Sequence, residues 1–369
     1  MPMFDSSRSL KRRDALRLIG GAAGLGAFGS MGNVGNLFEA ASLGAAADVK
    51  FPKGAIIRTV LKDYAPEALG VILFHEHVQL SSTFGLKGGP GAPQPTQSYS
   101  ENIDLVVNEV KEAQKDGVSC LVDGGHLDQG RRAEYVKQVA KLSGVPIVMS
   151  GGYHSQPSYP AEVIRGTEDD LLDEFVRYSV AERWGAFGEI GTSAEITPDE
   201  RKVLRAIGRA HVRTNIPIFS HTANGLSAIE QLDLFESVGV KPANLIIGHM
   251  GALKMVSIDI FKTICKRGAF VGFDRTGGTN PASDDAQVVM IKDLIAAGYA
   301  DNIMLASDGG SQEAQMKAKG GPGHARTYTV FVPKLRAAGV DDATVKKITV
   351  DNPRRFLAFV PKIKTPSYT

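Results

Sequence analysis

The chain has 369 residues, 43% of them hydrophobic and 22% charged, an ordinary globular composition with room for one large domain or two smaller ones. Its net charge of +2 arises entirely within the first 47 residues, since Lys/Arg and Asp/Glu balance from Asp48 onward. A neutral body argues against nucleic acid or an anionic membrane surface as the main partner, and two cysteines, Cys120 and Cys265, exclude a disulfide framework.

The N-terminus reads as a targeting segment. Lys11-Arg12-Arg13-Asp14-Ala15-Leu16-Arg17 precedes a mild apolar run, Leu18 to Gly29, and a small-residue stretch, Ala40 to Ala47. Basic, apolar and small residues in that order form an export signal, and the adjacent arginines with a weakly hydrophobic core resemble a twin-arginine signal. Lys11 and Ala15 depart from the usual pattern, which has Ser/Thr and Phe there. Ala45-x-Ala47 marks cleavage before Asp48. The expected division is a signal over 1–47 and a single domain over 48–369, exported by the twin-arginine machinery to the periplasm or beyond. No Cys near the apolar run offers a lipid anchor, and no later stretch has the roughly 18 apolar residues of a membrane span.

Residues 52 to 70 predict a short β-hairpin, and then a rhythm begins. Apolar runs at Val71–His77, Val118–Asp123, Val145–Ser150, Ala186–Ile190, Ile216–His221, Asn244–His249, Ala269–Phe273 and Asn302–Asp308 alternate with amphipathic stretches. Continuous apolar runs suit strands buried on both faces, as in a parallel sheet. Asn102 to Lys115, Ile229 to Val238, Ile258 to Lys266 and Val288 to Ala297 read as helices, and Thr197-Pro198-Asp199-Glu200 is a helix start with Thr as cap, Pro at N1 and Glu three after the cap. Eight such units predict a TIM (β/α)8 barrel with a helical C-terminus. A doubly wound sheet is the alternative, disfavoured because no G-x-G-x-x-G follows a strand. Long loops at Ser81 to Gln97, Gly152 to Arg165 and Gly309 to His324 follow the C-terminal ends of strands, where barrel active sites lie.

Chemistry gathers at those same ends. His75 and His77, two apart, share one face of an extended strand. Glu189 lies on the fourth run, His221 and His249 end the fifth and sixth, and Asp308 ends the eighth. Six metal-ligating side chains on five strand ends, using four of the eight histidines, point to a metal centre. An acid emerging from a buried strand, as Asp308 does, needs a cation as partner.

These residues resemble the phosphotriesterase family of the amidohydrolase superfamily. The resemblance runs from about Gly54 to Val360. It includes Gly70-Val71-Ile72-Leu73-Phe74-His75-Glu76-His77, Val271-Gly272-Phe273-Asp274-Arg275 and Asp351-Asn352-Pro353-Arg354-Arg355-Phe356-Leu357. It implies two divalent cations, zinc first among Zn2+, Mn2+, Co2+ and Fe2+. His75, His77 and Asp308 would hold the inner one and His221 and His249 the outer. Glu189 would bridge them where many members carry a carboxylated lysine, as in the glutamate-type branch. The implied reaction is hydrolysis by a water activated between the cations, with Asp308 as general base. Arg275 resembles the arginine of lactonase-like members, and Tyr153 an aromatic at the substrate mouth. The expected substrate is a lactone or carboxylic ester, with phosphotriesters as a side activity. An amidase acting on N-acyl amino acids is the nearer alternative, and a non-catalytic binding barrel is the alternative of another class. Dimers are common among the relatives, so a homodimer is the assembly the resemblance suggests. His126 and His154 follow the second and third runs as pocket or surface residues. Gly130-Arg131 resembles a family motif, with Arg132 where an acid is common. Glu76 is expected to point away from the metals and to be paired there.

Overall fold

Each apolar run becomes a strand. The computed structural model describes residues 49–80, 99–251, 257–277, 284–310 and 315–365. The expected signal and the loop Ser81 to Gln97 lie outside them. A two-stranded antiparallel hairpin, β1 (Ile57–Arg58) and β2 (Asp63–Tyr64), leads in as expected. Eight parallel strands follow: β3 (Val71–Glu76), β4 (Val118–Asp123), β5 (Ile147–Gly151), β6 (Ala186–Gly191), β7 (Ile218–His221), β8 (Leu245–Ile247), β9 (Phe270–Phe273) and β10 (Ile303–Leu305). They pair in sequence order from β3 to β10.

The circle closes at its C-terminal end. His77 N donates to Gly309 O at 2.7 Å and Asp308 N donates to His75 O at 3.0 Å, with Glu76 and Gly309 bridged in parallel. The fold is thus the (β/α)8 barrel that the eight units predict. First and last strands join through the backbone of three candidate site residues and their neighbour.

Two apolar layers follow from strand alternation. Ile72, Phe74, Cys120, Val122, Val148, Phe219, Ile246 and Met304 fill the barrel, and Ile57, Leu69, Phe356 and Leu357 pack with them. Leu73, Leu121, Ile147, Phe187, Ile218, Ile247, Val271 and Leu305 belong to the second layer, against the helices. Each such fully buried side chain contributes about 1.5–3 kcal/mol.

The helices lie where the amphipathic stretches place them. α1 (Ile103–Lys115) is capped by Asn102, whose side chain accepts from Leu105 N. α2 (Ala133–Ser143) follows, and the expected loop Gly152 to Arg165 contains a short helix, α3 (Ala161–Arg165). α4 (Glu168–Ala181) and α5 (Pro198–Thr214) each begin with a reciprocal capping box, the latter on Thr197 and Glu200 as the sequence predicts. α6 (Ala228–Ser237), α7 (Ile258–Arg267) and α8 (Asp284–Ala296) follow β7, β8 and β9. α9 (Val332–Ala337), α10 (Asp342–Lys346) and α11 (Asn352–Leu357) make the helical C-terminus. Among the described residues no helix is long and apolar enough to cross a membrane.

β8 and β10 both end before the last residue of their apolar runs. His249 and Asp308 take left-handed backbone, with φ of 56° and 50°, so extended geometry stops before each. Such conformations cost roughly 1–3 kcal/mol in non-glycine residues and gather at functional sites.

Candidate metal centre

Strict alternation would send His75 and His77 to the same side as Leu73, toward the helices. A register shift against β4 between Leu73 and Glu76 changes this. Phe74 and the next residue, His75, both contact Phe219, at ring-centroid distances of 6.2 and 5.3 Å. An irregularity of this kind re-aims side chains at strand ends. His75 and His77 therefore turn into the barrel, and Glu76 turns away. Its carboxylate accepts from Ser307 N at 2.9 Å, Ser307 Oγ at 2.7 Å and Gly309 N at 2.9 Å. Glu76 thus ties β3 to the chain leaving β10, paired and pointed away as expected. Gly124 makes room beside the rings: a Cβ there would lie 2.9 Å from His75 Cδ2.

Glu189 is the centre of the arrangement. Its Oε2 lies 2.8 Å from His221 Nδ1, 3.2 Å from His249 Nε2 and 3.4 Å from His75 Nε2, while Oε1 lies 3.4 Å from His77 Nε2. Asp308 Oδ1 sits 3.0 Å from His77 Nε2 and 3.7 Å from His75 Nε2. The six residues singled out from the sequence are therefore brought together. His75, His77, Glu189 and Asp308 form one group able to hold an ion, and Glu189 with His221 and His154 forms another.

A further residue organises the rings. Asp274, fully buried after β9, accepts from His75 Nδ1 at 2.9 Å through Oδ2 and from His249 Nδ1 at 2.9 Å through Oδ1, which also accepts His249 N. With Nδ1 donating, each ring carries its lone pair on Nε2. Those two Nε2 atoms are buried without a hydrogen-bond partner, and both face Glu189. A neutral ring would hold its lone pair against the carboxylate, a repulsion that either a proton on Nε2 or a bound cation relieves. The donor set of imidazoles and carboxylates, oriented by a second carboxylate, suits a divalent metal.

Titration of the protein's own groups agrees. Burial opposes ionisation of Glu189, Asp308 and Asp274, yet the surrounding histidines hold all three carboxyls below their usual range. Burial also disfavours charge on His75 and His77. Glu189 and Asp274 nevertheless raise His75 well above 6.5, and Asp308 and Glu189 raise His77 to about 9. The three carboxylates thus draw positive charge onto the histidines around them. On the outer side burial wins: His221 is pushed down to about 3 and His154 to about 4.

The substrate-binding expectations divide. Arg275 stands at the rim, about one-third exposed, with Nε 3.3 Å from Asp308 Oδ2 and Nη1 3.3 Å from Asn224 Oδ1. It pairs with Asp308, whereas the adjacent Asp274 is committed to the histidines. Tyr153 packs against the helices. Its ring packs on Phe175 of α4 and on Tyr159, and its hydroxyl donates to Glu174 Oε1 at 2.5 Å. It faces the helix layer because the next residue, His154, takes the inward position, with Nε2 3.8 Å from Glu189 Oε1. His126 is fully buried, and desolvation pushes it to about 3. Arg131 is also buried and donates to Gly125 O, Ser150 O and Glu182 Oε2, so the acid missing at Arg132 is supplied by Glu182. Cys120 and Cys265 are both buried, and burial raises each thiol to about 12, consistent with packing.

Comparison with known proteins gives the same family. The aryldialkylphosphatase of Saccharolobus solfataricus is 28% identical over 307 residues, covering 79% of this chain and 95% of that protein. The N-acetyltaurine hydrolase of Danio rerio is 27% identical over 345 residues, covering 82% and 98%. The crystal structure of a resiniferatoxin-binding protein from Rhodobacter sphaeroides superimposes with a TM-score of 0.73 at 31% identity, covering 82% of this chain and 95% of that one. The sequence model of the phosphotriesterase family matches residues 56–357. The chain belongs to the phosphotriesterase family.

Proposed function

We propose that this hydrolase of the phosphotriesterase family works with two divalent cations, and that its substrate is a lactone or carboxylic ester, with phosphotriesters as secondary substrates. The observation that supports this reading is the convergence of His75, His77, His221 and His249 on Glu189, with Asp308 against His75 and His77, at the closed end of the barrel. His75, His77 and Asp308 would hold the inner cation and His221 and His249 the outer, with Glu189 shared. Such a pair, when bound, acidifies water and polarises a carbonyl or phosphoryl oxygen. Zinc comes first, with manganese, cobalt and iron suited to the same donors.

The chain's own groups supply the rest. Asp308, anionic at neutral pH and about one-fifth exposed, is the acceptor for the proton that attacking water releases. Arg275 Nε beside Asp308 Oδ2 fixes the carboxylate and keeps a guanidinium at the mouth, where it meets substrate oxygens. Asp274 keeps the rings of His75 and His249 in one tautomer and one orientation. In this reading water attacks the substrate directly, without a covalent intermediate.

A second reading, cleavage of an N-acyl compound with an acidic head group, draws on Arg275 as a fixed cation at the rim and on the N-acetyltaurine hydrolase among the relatives. The same proposal includes export: residues 1–47 would be read by the twin-arginine machinery and removed near Ala47, leaving a periplasmic or secreted enzyme. A homodimer is the assembly proposed.

The test is metal analysis of the purified mature chain, chelation, and a panel of lactones, aryl esters, N-acyl amino acids and phosphotriesters. Two cations per chain and chelator-sensitive hydrolysis are expected. Unchanged activity in a His221→Ala, His249→Ala double variant would defeat the two-cation reading.

A further inference from the structure

We propose that His154 is a ligand of the outer cation, a fourth protein donor beside Glu189, His221 and His249. The inference rests on the reading of the site as a two-cation centre and adds a residue to it. His154 enters the site from the segment after β5, and its backbone N–H donates to Asp128 Oδ2 at 2.9 Å. Its ring is steered from behind, where Nδ1 lies 2.9 Å from Ser155 Oγ. With Nδ1–H donating to that hydroxyl oxygen, the lone pair falls on Nε2, the nitrogen that faces inward.

The separations are those of ligands around one ion. His154 Nε2 is 3.4 Å from His221 Nδ1 and 3.8 Å from Glu189 Oε1, and His221 Nδ1 is 2.8 Å from Glu189 Oε2. Donors bound tetrahedrally at about 2.0–2.1 Å stand roughly 3.3 Å apart, and the three distances scatter around that value. Read instead as a hydrogen bond, 3.4 Å between two imidazole nitrogens is long. The two rings meet nearly edge to face, with centroids 4.6 Å apart at 73°, so their nitrogens share a point without stacking.

The position has a consequence for the reaction. Catalytic cation sites keep one coordination position for water or substrate. His154 would fill that position on the outer cation until substrate arrives. Its side chain is 13% exposed and stands on a connecting segment, where a substrate carbonyl or phosphoryl oxygen would compete with it for that position.

The experiment is a cobalt(II) titration of the purified mature chain, reading bound cations per chain, visible absorption and competition with a chelator. The parent should take up two cations. His154→Ala should keep the inner cation and bind the outer one more weakly, by at least the roughly 10–100-fold that losing a ligand's supporting partner costs. The absorption of the outer cobalt should change as well. His154→Gln, which keeps the bulk of the side chain, carries the same test if the Ala variant does not fold, and Ser155→Ala should shift affinity in the same direction by less. A folded His154 variant that binds both cations with the parent's affinity and spectrum overturns the assignment alone. A parent that takes up fewer than two cations overturns both this assignment and the two-cation reading beneath it.

Discussion

The inner and outer halves of the candidate centre are held in different ways. Inside, the side chains of His75 and His77 are at most 3% exposed, and Asp274 grips His75 from behind. His249, assigned to the outer position but just as buried, hangs from the same carboxylate through both its ring and its backbone N–H. Toward the mouth, the side chains of His221 and His154 are 19% and 13% exposed; the ring of His221 is met by Glu189 and His154, and that of His154 has the Ser155 hydroxyl behind it. Rings fixed from two sides define geometry, whereas rings fixed from one side can follow an arriving ligand. Under the proposed two-cation reading, His75 and His249, gripped by Asp274, would keep their geometry, whereas His221 and His154 would adapt to what arrives.

Single substitutions should break that contrast unequally. His75→Ala removes a donor of the inner half. It should abolish cation loading and hydrolysis together, beyond the roughly 10–100-fold expected for a supporting residue. His221→Ala should empty the outer position alone, and metal analysis of the two variants separates the halves. A His75→Ala protein that kept two cations and full activity would sink the account.

Asp274→Asn comes next. An amide offers one acceptor oxygen where two ring N–H groups need one each, so one ring must lose its anchor. Affinity for the cations should fall by about 10–100-fold in a metal titration, with secondary structure intact by circular dichroism. If affinity held, orientation from behind by Asp274 would not be what fixes the donor geometry.

Tyr153→Phe tests the outer boundary. The hydroxyl serves Glu174 and α4, so its loss should cost about 0.5–1.5 kcal/mol in denaturant unfolding and leave kcat/KM within about twofold. A large rise in KM would restore Tyr153 to the mouth.

The smallest effect lies away from the centre and gives it a baseline. His211 is buried in α5, its Nδ1–H donating to Ile216 O at 2.7 Å, and burial lowers its pKa below 6.5. As pH falls through 6.5 the unfolded chain takes up a proton that the folded chain still refuses. Stability is therefore lost on acidification. His211→Gln should flatten the dependence of unfolding free energy on pH between about 7 and 5 relative to the parent. A steeper dependence would reverse the sign argued here.

Much of this was legible because strand ends are punctuated in the sequence. Apolar runs stop at His77, His221, His249 and Asp308, and a barrel brings such stops to one rim. What alternation alone could not supply was direction. The shift between Leu73 and Glu76 turns His75 and His77 inward, and the same uncertainty of one residue exchanged Tyr153 for His154. Asp274 was visible as an acid next to Arg275. Its role depends on two rings from β3 and β8 reaching one carboxylate, which no local pattern encodes. Arg131 and Glu182 likewise meet only through the packing of α4 on the barrel.

The barrel closes where His75 O receives Asp308 N and His77 N reaches Gly309 O. A nascent chain cannot assemble the inner donor set until its last strand has emerged, more than two hundred residues after its first. A cation bound by the proposed inner set would therefore be captured only by a finished barrel. A truncated or misthreaded chain lacks the set, and only a completed chain is stapled shut across the seam between its two ends.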